Sequence, residues 1–117
     1  MDKASEIIPE FKRTLKTLKL TKNMNDSEIL AEIGESNVFT IDEVCAILKA
    51  LTERQPNGEA GDLLNNGHAN IIYVRLDEKT VVPAHVGWHS GGRRWGLGAG
   101  SLDGHLWGAG RRVLVWG

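Results

Sequence analysis

The side chains best suited to chemistry in this chain are its histidines, since imidazole titrates near neutrality and serves as metal ligand, general acid or general base. All four, His68, His85, His89 and His105, fall after residue 67. His85 and His89 have the interval of a helical zinc pair, yet on an extended strand four residues span roughly 13 Å, which no single ion bridges. A metal would need His68 or His105 to converge from other strands, and no metal site is expected. Proton transfer by a histidine beside Arg94 leaves a small hydrolase as one reading. No serine, cysteine or carboxylate has the local setting of an activated nucleophile. Cys45 is the only cysteine; it falls on the apolar face of a predicted helix, where a buried, inert thiol is expected.

Arginine and tryptophan supply the second set of candidates. Gly-Arg-Arg occurs at Arg93-Arg94 and again at Arg111-Arg112. Adjacent strand residues point to opposite faces, so Arg94 and one of Arg111 or Arg112 could clamp an anion. The alternative is that both pairs are solvated strand ends guarding exposed edges. Trp88, Trp95, Trp107 and Trp116, beside these arginines, could form a stacking platform for RNA or single-stranded DNA. "GLGAGS" lacks the spacing and strand-to-helix context of a nucleotide fingerprint, there is no Walker lysine loop, and no cofactor is expected.

These residues have to be positioned by a β-rich second part. Residues 87–100, GWHSGGRRWGLGAG, place six glycines around two tryptophans, two arginines and a histidine. A two-residue turn at Gly91-Gly92, with glycine supplying positive φ, would face Trp88 with Trp95, Val86 with Leu97 and Ala84 with Ala99. One side of that hairpin is wholly apolar. The other pairs His89 with Arg94, Gly87 with Gly96 and His85 with Gly98, leaving a strip without side chains bordered by His85, His89 and Arg94. A loop of Asp77, Glu78 and Lys79 in the preceding hairpin pairs Val74 with Val82 and Ile72 with Ala84, which agrees on the apolar side. A one-residue slip would mix the two faces, so burial selects this register. The predicted strands are 69–76, 80–89, 93–99, 105–107 and 112–116.

The first part reads as helical. Ile7, Ile8, Phe11, Leu15 and Leu18 recur at helical spacing, predicting a helix from about Ser5 to Leu20. A second follows, capped by Asp26 or Ser27 and ended by Gly34. Thr40 and Glu43 form a capping box for a third, with Val44, Ile47, Leu48 and Leu51 on one face. Its acidic start, Asp42 and Glu43, argues against a DNA-reading helix. The expected fold is therefore α+β in one domain over 1–117. About three N-terminal helices (1–55) and a connector (56–68) would precede an antiparallel meander of four to five strands (69–117), forming a small sheet or partial barrel.

Composition narrows the function classes. The chain has 41% apolar residues, 25% charged residues and a net charge of -1, ordinary for a globular protein and unlike a bulk polyanion binder. The lone cysteine excludes an intrachain disulfide and suits a cytoplasmic setting. No run approaches the roughly 18 apolar residues of a membrane span. Expected is a small non-enzymatic interaction protein that engages a protein partner or a second copy of itself through its Gly/Arg/His/Trp-rich sheet. The expected binding residues are His85, Gly87, His89, Arg94, Gly96, Gly98, Trp107 and Arg112, and the apolar last strand would pair inside the sheet or across a homodimer.

Overall fold

A computed structural model describes residues 2–8, 13–58, 63–66, 68–104 and 106–116. In chain order the elements are β1 (Asp2–Ile8), β2 (Arg13–Lys19), β3 (Met24–Asn25), α1 (Asp26–Ile33), a 3-10 turn (Glu35–Asn37), β4 (Phe39–Thr40) and α2 (Ile41–Arg54). They continue with β5 (Asn70–Arg75), β6 (Val81–His89), β7 (Arg94–Ala99), β8 (Leu106–Trp107) and β9 (Arg112–Trp116). Among the described residues no helix is long and apolar enough to cross a membrane.

Three N-terminal helices on a C-terminal meander is not the architecture observed. The segment expected to be the first helix contributes β1 and β2, which pair antiparallel; Phe11 and Lys12 of that expectation lie outside the described residues. The misleading signal was the three-residue interval between Leu15 and Leu18. In an extended strand these residues face opposite ways, and both faces here are covered: Leu15 belongs to one core and Leu18 packs against the other. A strand buried on both faces loses its alternation and mimics a helical period.

A seven-stranded mixed sheet organises the chain in the order β1-β2-β9-β5-β6-β7, with β4 also beside β5. β9 lies between β2, its antiparallel neighbour, and β5, its parallel neighbour through Ile71↔Val113. β4 is likewise parallel to β5 through Phe39↔Val74. β3 and β8 form a separate two-stranded ladder, Met24↔Trp107 and Asn25↔Leu106. The last strand is thus internal to the sheet, which removes the apolar "VLVW" as a reason to expect a dimer.

Each face of the sheet has its own core. α2 brings Val44, Ile47, Leu48 and Leu51 onto Ile72, Val74, Leu114 and Trp116, and Trp116 tilts onto Phe39 with ring centroids 5.0 Å apart. α1 and the β3–β8 ladder bring Ile29, Met24 and Trp107 onto Ile71, Tyr73, Val113 and Val115. Both helices open on capping boxes, Asn25 with Glu28 and Thr40 with Glu43. Asn25, one residue before the expected Asp26, therefore caps α1. Cys45 is exposed and not buried, because it lies one residue round the helix from the Val44 stripe.

Candidate functional site

The β6–β7 hairpin has the register that burial of one face selects: Ala84↔Ala99, His85↔Gly98, Val86↔Leu97, Gly87↔Gly96, Trp88↔Trp95 and His89↔Arg94. Its turn is built differently from expectation. Neither Gly91 nor Gly92 takes a positive φ; Arg93 does, at 52°. The loop runs over Ser90–Arg93 and a left-handed residue at its end steers the chain back into β7. On the apolar side Trp88 and Trp95 meet edge to face, with centroids 5.2 Å apart, and the Trp95 indole N–H donates to the Gln55 carbonyl at 2.6 Å. Gly58 (φ 71°) sits against the Trp88 indole, which would overlap any Cβ there. The turn after α2 therefore anchors this side of the hairpin. That cover stops short of Leu97, which is 66% exposed.

The opposite side is not a bare strip. The His85 imidazole lies over Gly98, whose Cβ would come within 2.7 Å of it, and the His89 ring lies over Gly96 in the same way. A third glycine repeats the arrangement, with the Arg111 guanidinium 2.6 Å from where a Gly108 Cβ would be. Glycine is needed at these positions so that a nitrogen-bearing head can rest on backbone. Trp107 stands beside His85, with centroids 5.8 Å apart and planes at 60°, and makes one wall. Together with His68 and Ala69 these groups enclose a cleft of about 530 Å³.

Of the expected binding residues, His85, Gly87, His89, Gly96, Gly98 and Trp107 line this cleft. Arg94 does not; it borders an adjoining depression with Ser90, Gly91 and Gly92, which shares Gly87 and His89 with the cleft. Arg112 does not either, being a β9 residue paired with Lys19 and Asn70. His105 lies outside the described residues. His68, Ala69, Leu97, Leu106, Gly108 and Arg111 complete the cleft without having been among the expected binding residues, although Arg111 was the alternative to Arg112 for an anion clamp. Arg111 and Arg112 sit side by side, so choosing between them required the register of β9, which depends on β2 and β5. No Asp or Glu is among the described residues lining the cleft, and no group of three His, Cys, Asp or Glu side chains among them is arranged to hold a metal.

Behind the wall lies a polar hub that the sequence did not reveal. Asp26, fully buried at the start of α1, accepts from the Tyr73 hydroxyl at 2.7 Å and the Trp107 indole N–H at 2.7 Å. Its second oxygen accepts from the Asp103 backbone N–H at 2.7 Å. Burial, reinforced by the adjacent Asp26, pushes the Tyr73 phenol well above its ordinary range. The Asp103 carboxylate accepts from the Ser27 hydroxyl at 2.6 Å and backbone N–H at 2.9 Å, which holds it below the ordinary carboxylate range. Trp107 is therefore fixed from behind by α1 and presented to the cleft in front.

No protein-family model matches the chain, and no curated protein or solved structure is significantly similar to it.

Proposed function

We propose that the protein is a non-enzymatic binding module that takes an extended segment of a protein partner along the outer edge of β7. The observation that supports this reading is the open edge: β7 ends the strand order, with β6 as its one strand neighbour among the described residues. Unpaired strand backbone recruits another strand, and pockets beside such an edge read the alternating side chains of the incoming segment. Exposed Leu97 stands on this edge and also borders the histidine cleft, which opens beside it. Self-pairing of two β7 edges is the homodimer form of the same chemistry.

The other readings find less support. A base-stacking platform needs exposed ring faces. Instead, Trp88 and Trp95 pack on each other, Trp107 is hydrogen-bonded to Asp26, and Trp116 lies against Phe39. A hydrolase needs a nucleophile or activated water beside its base, and no Ser, Cys, Asp or Glu is among the described residues lining the cleft.

Selection of binders from a displayed library of linear peptides tests the proposal. Selected peptides are expected to slow amide exchange in β7 and to lose binding to Leu97→Lys. Peptides that protect α2 or β1 while β7 exchanges unchanged would overturn it. A dimer in light scattering that dissociates in Leu97→Lys would make the second copy the occupant of the edge.

A further inference from the structure

We infer that the cleft between β6–β7 and β8 is a binding site for a phosphate monoester. Its polar heads are all nitrogen donors: the imidazoles of His68, His85 and His89 and the guanidinium of Arg111, with no carboxylate among the described lining residues. Such a set favours an anion, because Arg111 is a fixed cation, each imidazole has an N–H to donate and no lining carboxylate repels negative charge. Imidazole donates a hydrogen bond in either charge state, so the donors do not depend on full protonation.

The heads of His89, His85 and Arg111 rest over Gly96, Gly98 and Gly108, positions where a Cβ would collide with them. Those three glycines let the donors lie down on the floor instead of standing into the space, which keeps the cleft open. Three separate seats of this kind around one cavity form a prepared site. Phosphate fits better than carboxylate. One carboxylate fork would satisfy Arg111 alone, whereas the three terminal oxygens of a monoester can reach beyond the guanidinium to the imidazoles, whose heads lean over Gly96 and Gly98, only two residues apart on β7. The volume of about 530 Å³ suits a small organic phosphate, and Trp107 and Ala69 supply an apolar wall for its ester group. This assignment stands independently of a partner strand on β7.

Titration of phenyl phosphate, inorganic phosphate and benzoate into isotopically labelled protein tests it, followed through the Trp107 indole N–H and the histidine ring signals. Saturable shifts are expected with both phosphates, tighter for the phenyl ester, and benzoate should bind about ten-fold more weakly or worse. Arg111→Gln should lower phosphate affinity by a similar factor. Gly96→Ala should do the same with an unchanged melting temperature, because its methyl displaces only the tip of the His89 ring. Absence of shifts at millimolar phosphate, equal binding of benzoate, or full affinity in Arg111→Gln and Gly96→Ala would overturn the inference. A phosphoserine peptide that binds and slows amide exchange in β7, where its unphosphorylated form does neither, would identify the partner segment as the source of the phosphate; phenyl phosphate binding with no phosphopeptide binding would identify a free small molecule.

Discussion

The carboxylate of Asp26 receives the Trp107 indole N–H at 2.7 Å although the residues are 81 positions apart, joining the start of α1 to the wall of the cleft. Tyr73 and the Asp103 backbone share the same carboxylate. Asp26→Ala would leave these donors unsatisfied, at about 1–3 kcal/mol for each buried group. We expect chemical denaturation to show a loss of about 3 kcal/mol or more, with Asp26→Asn milder because one acceptor oxygen remains. A loss below about 1 kcal/mol would contradict the hub.

Tyr73 sets an alkaline limit on stability. Its folded-state pKa lies above the ordinary value of 10.0 through burial first and Asp26 second. A raised pKa means that the native state keeps a proton that the unfolded chain gives up. The contribution is therefore complete below pH 10.0 and declines as pH rises beyond it. The expected slope from this group is about 1.4 kcal/mol per pH unit. Comparing unfolding free energies of wild type and Tyr73→Phe across that range should show this extra slope in wild type alone; parallel curves would refute it.

Two glycines should respond in opposite directions to alanine. Gly91 is outside the left-handed region and a Cβ there meets nothing within 4 Å, so Gly91→Ala should stabilise by about 0.4–1 kcal/mol through the unfolded chain. Gly58 has φ 71° and lies against the Trp88 indole, so Gly58→Ala should destabilise and alter the near-ultraviolet dichroism of the paired tryptophans. Thermal melts of both variants check the pair, and a stabilising Gly58→Ala would be inconsistent with the packing described.

Sequence reading succeeded where neighbours in the chain are neighbours in space. The β5–β6 and β6–β7 registers followed from loop length and the apolar face shared by Ile72, Val74, Ala84 and Val86, and Thr40 with Glu43 marked α2. It failed where strands covered on both sides pair with partners that are remote in the chain. Leu15 and Leu18 in β2, and the run Val113–Trp116 in β9, feed opposite cores, so the two-residue period that betrays a half-buried strand is absent. β9 was located in the chain but not in the sheet, and with it went the choice between Arg111 and Arg112. Asp26 was read as a cap because aspartate before a helix usually is one; its burial depends on Tyr73 and Trp107, both remote in sequence.

Insertion of β9 between β2 and β5 carries a kinetic consequence. The middle of the sheet cannot zip up until residues near opposite ends of the sequence have met, so loop-closure entropy is lost before most of the cohesion is gained. The β5–β6–β7 meander can assemble early from local contacts, but it must wait for a late-synthesised segment to close the gap. Refolding is accordingly expected to be slow for a chain of this size, and the waiting intermediate to be the form most prone to aggregate.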